Sequence, residues 1–287
     1  MNQTEIKDYL NRREDDRRED DRPHRKFPIL PCEEKLFRKF KQKPELITYD
    51  DLMRENFEDK IKEKDVQYFA DPPPECGSEV LAYYRSFHRH SKWGIYIIDA
   101  GVDYLASEIK KLASRHKIDL SRLDAEYLAK HNLLLHELGH HAVEIVHTLL
   151  AWDYNRPDSY KMHIDNKLQQ SRHLPKDQTL HNHEEAVCNW NVTKNKLNFE
   201  IRAQNHINTI SDFMLSQPLG YKDFGNITAR NYLESIMDAG TATGLPKDTK
   251  SDLKKQFRAH SKLDKVKPLT KWKEMRWTQV PIYLIRT

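Results

Sequence analysis

His136-Glu137-Leu138-Gly139-His140 puts two imidazoles four residues apart, with a carboxylate beside the first. On a helix each residue advances about 100°, so the two rings share one face, one turn apart. That spacing lets two ring nitrogens meet one Zn²⁺ at about 2.0–2.1 Å, and Glu137 falls where a metalloprotease keeps the general base for its metal-activated water. The surroundings matter as much as the spelling. Leu133, Leu134 and Leu135 precede the motif, and Ala142, Val143, Ile145 and Val146 follow it. Such a run reads as a core helix, where polar side chains need a reason that offsets their desolvation. The bland alternative is a chance HxxxH on a solvated face of a chain with 15 histidines.

Two histidines are half a site, because catalytic zinc takes a third protein ligand and keeps an open position for water. His147 shares their helical face, but at about 1.5 Å per residue it lies about 16 Å from His136. The longer pattern H-E-x-x-H-x-x-G-x-x-H fails, since its glycine and third histidine would fall on Val143 and Val146. His141 sits about 100° off the face of His140, a place for a supporting or surface residue. The better source is the run His181-Asn182-His183-Glu184-Glu185-Ala186-Val187-Cys188-Asn189-Trp190, which opens a second helix. It resembles the gluzincin arrangement, in which a Glu ligand is followed four residues on by a polar group that supports the site. Glu185 with Asn189 matches that spacing, and Asn189 is suited to fix the tautomer of a ligand histidine. Glu184 would pair instead with Cys188 and is the second choice. Both glutamates also suit a helix N-terminus on electrostatic grounds alone. His181 and His183 are alternative ligands or transition-state donors. Tyr154, Tyr160 and His163, in the intervening loop, are candidate oxyanion donors.

Taken together, Leu135-His136-Glu137-Leu138-Gly139-His140-His141 and Glu184-Glu185-Ala186-Val187-Cys188-Asn189 resemble the short gluzincin metallopeptidases of the ImmA/IrrE type. Those proteins carry HExxH on one helix and a Glu-containing motif, ending in Ala-Asn, on a following one; here Cys188 stands where Ala is usual. The resemblance covers about residues 80 to 205. It implies a compact α+β zincin core with a small sheet, and selective cleavage of a protein such as a repressor. The reading is a zinc-dependent metallopeptidase acting on one or few protein or peptide substrates. His136, His140 and Glu185 would be its ligands and Glu137 its base.

The elements that must position these residues follow from pattern. Strands are expected at 80–84 and 93–98, joined as a hairpin, with Gly94 marking a bulge or a close backbone approach. The strand at 93–98 is the candidate edge that would pair with an extended substrate backbone. Helices are expected at 33–41, at 102–116, from Asp119 or Ser121 (with Asp124 as the capping partner of Ser121) to Trp152 with room for a break, from His183 or Glu184 past Ile201, and at 228–238. Residues 153–182 read as loop, and residues 280–285 as an edge strand because of Pro281. The expected class is α+β, a mostly helical zincin-like core with a small mixed or antiparallel sheet beside the HExxH helix. Four segments are expected: a charged flexible arm (1–26), a helical or extended segment (27–75), the metallopeptidase core (76–245), and a basic C-terminal region ending in a strand (246–287).

A net charge of only +4 argues against a dedicated nucleic-acid binder. The competing reading is a non-catalytic, zinc-stabilised module that binds nucleic acid through its basic C-terminal region. There Lys254, Lys255, Arg258, Lys262 and Lys265 run on towards Trp272 and Trp277. Glu137 discriminates, since a structural site has no use for a carboxylate beside its first histidine. The repeat RREDDRREDDR at 12–22 cannot bury a face and reads as a solvated tail or a docking arm. There is no run of about 18 apolar residues, so no membrane span is expected. The polar start and three widely spaced cysteines suggest a cytoplasmic protein with reduced thiols.

Overall fold

The computed structural model describes residues 44–57, 81–85, 93–154, 183–194, 203–217, 221–228, 231–239, 245–261 and 280–287. The expected helix at 33–41 and all but the first two residues of the loop expected at 153–182 lie outside them, as do the arm at 1–26, the hairpin connection and the extension of the second metal helix through Ile201.

Four strands form one mixed sheet: β1 (Glu45–Ile47), β2 (Ala82–Arg85), β3 (Gly94–Ile98) and β4 (Ile282–Ile285), in the order β1-β4-β3-β2. β2 and β3 pair antiparallel, as the hairpin reading expects, β3 and β4 pair parallel, and β4 and β1 pair antiparallel. Tyr83, Tyr96 and Tyr283 stand opposite one another across three strands, their rings stacked at 4.9 and 4.6 Å. Such cross-strand aromatic pairs pin the register.

Two strand positions correct the sequence reading. β4 is interior, flanked by β1 and β3. Pro281 lies just before the first strand residue, so its missing N–H falls outside the ladder, while its carbonyl accepts from the Ile95 amide at 2.9 Å. β3 is interior too, and every one of its five residues is buried. A strand apolar on both faces is the one a sheet covers, so among the described strands the outermost on that side is β2. Gly94 does mark a close approach: its φ is 136°, and a Cβ there would lie 2.3 Å from the Pro281 carbonyl oxygen.

The helices are α1 (Tyr49–Arg54), α2 (Asp99–Arg115), α3 (Arg122–Asp153), α4 (His183–Lys194), α5 (Ala203–Leu215), α6 (Tyr232–Ala239) and α7 (Lys247–Ser261), with a 3-10 turn at Tyr221–Asn226. The class is therefore α+β, mostly helical, with the small sheet against the long helix α3. α3 runs unbroken, capped by Ser121, whose hydroxyl accepts from the Asp124 amide at 3.1 Å. α2 starts three residues earlier than its periodicity suggests. Its first residue Asp99 follows β3 directly and accepts from the Ala100 amide at 2.7 Å and from the Thr287 hydroxyl at 2.9 Å.

The core draws on both ends of the chain. Leu52 and Phe57 from the first described segment, and Leu253, Phe257 and Leu284 from the last two, join one cluster with the leucines of α3. Lys130 and Glu126 pair at 2.7 Å inside it, and the Phe57 amide donates to Glu126 at 3.3 Å. Lys130 also donates to the Glu55 carbonyl, which ties the stretch after α1 to α3. No helix among the described residues is long and apolar enough to cross a membrane.

Candidate metal centre

α3 presents His136 and His140 one turn apart, with ring centroids 5.1 Å apart and planes nearly perpendicular. α4 crosses α3 at this point and brings Glu184, Glu185, Cys188 and Asn189 to the two rings. All are buried.

The two imidazoles are held alike. His136 Nδ1 lies 2.8 Å from Asn189 Oδ1, and the Asn189 amide nitrogen donates to the Tyr221 carbonyl at 2.8 Å. Because that amide nitrogen is engaged, the oxygen faces the ring, and Nδ1 must carry the proton. His140 Nδ1 likewise donates to Glu184 Oε1 at 2.6 Å. Both Nε2 atoms then turn to one oxygen: Glu185 Oε2 lies 3.2 Å from that of His136 and 3.5 Å from that of His140.

Cys188 completes the cluster. His136, His140 and Cys188 bring ligand atoms within 4.8 Å of one another, and this buried group could hold a metal ion. Sequence reasoning gave Cys188 no role beyond a poor support for Glu184. The available signal was its position three residues beyond Glu185, which shares a helical face, in a residue type that binds metals well. Tyr221, whose ring stacks on His136 at 6.2 Å and whose carbonyl holds Asn189, had no sequence signal.

Gly139 lets the helices meet here. A Cβ at this position would lie 2.6 Å from Cys188 Sγ and 2.9 Å from its Cα. Glycine inside a helix costs about 1 kcal/mol relative to alanine. The close approach of α4 offsets that cost.

Electrostatics follow from burial and charge. Burial alone would lower the His140 pKa, but its interactions with Cys188 and the Glu185 carboxylate, and its hydrogen bonds to Cys188 and Glu184, hold it well above the usual histidine value. Burial pushes the Cys188 thiol up to about 12, so the sulfur is neutral until a cation adjoins it.

Comparison of the chain with protein-family models, with curated proteins and with solved structures gives no significant match.

Glu137 is fully buried on α3, next to His136. His141 supports the helix: its Nδ1 lies 2.8 Å from the Tyr84 hydroxyl of β2, and its ring stacks on Trp93. Burial pulls its pKa down to about 4. His147 is buried, but the unbroken helix keeps it about 16 Å along the axis from His136. His183 is exposed at the first residue of α4, whereas Glu184 and Glu185 are buried, so the helix turns His183 away from the cluster. The Tyr154 hydroxyl donates to Asp252 of α7 at 2.9 Å. Tyr160, His163 and His181 lie outside the described residues.

Proposed function

We propose that the chain is a zinc-dependent metallohydrolase, a peptidase acting on one or few protein substrates. The observation that carries this reading is the common orientation of the two imidazoles. Each Nδ1 donates to a side chain of α4, and each Nε2 lies within 3.5 Å of the same Glu185 oxygen. Donors held tetrahedrally at about 2.1 Å stand about 3.4 Å apart, so these separations suit ligands of one small ion. Nitrogen, carboxylate and sulfur donors favour zinc over magnesium or calcium, which take oxygen.

In this reading His136, His140 and Glu185 hold the ion, while Glu184 and Asn189 keep the two rings in the ligating tautomer. Zinc, when bound, lowers the pKa of water to about 7 and polarises a carbonyl. Glu137 takes the proton of the attacking water as general base. The leucines around the motif keep bulk water out, which strengthens each of these interactions. The likeness to ImmA/IrrE-type metallopeptidases supports the peptidase assignment, and a cytoplasmic setting accords with Cys188 being free.

Elemental analysis of wild type, Glu137→Gln, His140→Ala and Glu185→Gln tests the site. About one zinc per chain is expected in wild type and Glu137→Gln, with loss in the other two. A peptide-library screen should then show cleavage by wild type and none by Glu137→Gln. Wild type that carries no metal when purified without chelator, and takes up none on adding zinc, overturns the reading.

Cys188 favours a second reading, a non-catalytic zinc-stabilised module, because four protein ligands are the mark of a structural site. Glu137 weighs against it. The nucleic-acid part of that reading weakens at α7, where Lys250 pairs with Asp238 at 2.6 Å and Lys254 pairs with Glu234.

A further inference from the structure

The three-ligand reading leaves the Cys188 sulfur unused, although it stands among the ligands. Where α3 crosses α4, His136, His140 and Cys188 bring buried ligand atoms within 4.8 Å of one another, and the Glu185 carboxylate lies 3.2 and 3.5 Å from the two imidazole Nε2 atoms. Glu185 and Cys188 are three residues apart on α4, on one face of the helix. Glu184 stands apart from this set, because it engages the Nδ1 of His140.

The motif itself makes room for the sulfur. Gly139 lies between the two histidines, and a side chain there would meet Cys188 Sγ at 2.6 Å. Any larger residue at the second variable position of HExxH would push the sulfur out of the helix crossing. The Cys188 side chain already shares a hydrogen bond with His140, and as a thiolate it would be among the strongest ligands for zinc.

Resting on the metal-centre reading, we propose that Cys188 is a fourth protein ligand, whose thiolate would fill the position that a three-ligand zinc site leaves for water. The site would then prefer borderline and soft divalent ions such as zinc, cobalt and cadmium over harder ones.

Absorption spectroscopy of the cobalt-substituted full-length chain tests this. A thiolate-to-cobalt charge-transfer band is expected in wild type. Cys188→Ser should lose it while still taking up cobalt, and Cys32→Ser and Cys76→Ser should keep it. Cobalt d–d bands without charge transfer in wild type overturn the proposal and leave the metal centre standing. A band that survives in Cys188→Ser, or that disappears with Cys32 or Cys76, also overturns it. Should Cys188→Ser fail to fold, X-ray absorption on the zinc-loaded wild type decides. One sulfur at about 2.3 Å supports the proposal, and a shell of only nitrogen and oxygen at about 2.0–2.2 Å overturns it. No uptake of either metal overturns both readings.

Discussion

Glu184 and Glu185, neighbours in the chain, take opposite nitrogens of one imidazole: Glu184 Oε1 lies 2.6 Å from His140 Nδ1, and Glu185 Oε2 lies 3.5 Å from His140 Nε2. One glutamate orients the ring and the other faces the side a metal would occupy. Two side chains about 100° apart on α4 achieve this because His140 stands between them at the helix crossing.

The two substitutions should therefore behave differently. Glu184→Gln keeps an acceptor but loses the charge, and should weaken metal binding about 10–100-fold with stoichiometry intact at saturation. Glu185→Gln, which removes a ligand oxygen, should weaken metal binding more than Glu184→Gln does. Competition with a chromophoric chelator measures both. The reverse order of severity would exchange the two roles.

Gly139→Ala should destabilise the fold although alanine is the better helix former by about 1 kcal/mol. The new methyl would meet Cys188 Sγ at 2.6 Å and Cα at 2.9 Å, and overpacking of this kind costs about 1–3 kcal/mol. Adding Cys188→Ala should recover only part of the loss, because the backbone contact remains. A urea melt of the single and double variants checks it, and a neutral single variant would show that α4 moves away freely.

Stability of the metal-free protein should fall on the acid side. His131 is buried against the Tyr127 ring, and burial pulls its pKa down to about 3. Its contribution is fully present above the unfolded value of about 6.5 and is lost as pH falls from there towards about 3. His140 has the opposite sign. Its raised pKa contributes stability that is present below about 6.5 and is lost as pH rises through the folded value. Urea midpoints between pH 7 and 4 should therefore decline, and His131→Phe, which keeps the ring stack, should flatten the decline. An unchanged slope in that variant would remove His131 as the cause.

Chelation should lower the melting temperature. A ligand at about 100 times its Kd adds about 2.7 kcal/mol to a fold that alone binds it. At about 2–4 °C per kcal/mol, that predicts a fall of about 5–11 °C with chelator, restored by zinc. His140→Ala should show no chelator effect. An equal shift in that variant would place the stabilising ion elsewhere.

Local chemistry was legible in the sequence wherever one helix or strand carries all of it. The four-residue spacing of His136 and His140, the Ser121 cap, the hairpin of β2 with β3 and the pairing of Glu185 with Asn189 each depend on periodicity within a short stretch. The packing of elements distant in the chain decided the rest. Pro281 suggested an edge strand, yet β4 is interior, because a proline just ahead of a strand needs no ladder partner for its missing N–H. Which nitrogen of His140 faces Glu184 and which faces Glu185, and how near Cys188 stands to Gly139, turned on the packing of α4 against α3. Both depend on how two helices cross, with 43 residues between His140 and Glu184. Periodicity shows which face a residue occupies. Only packing decides which other face it meets.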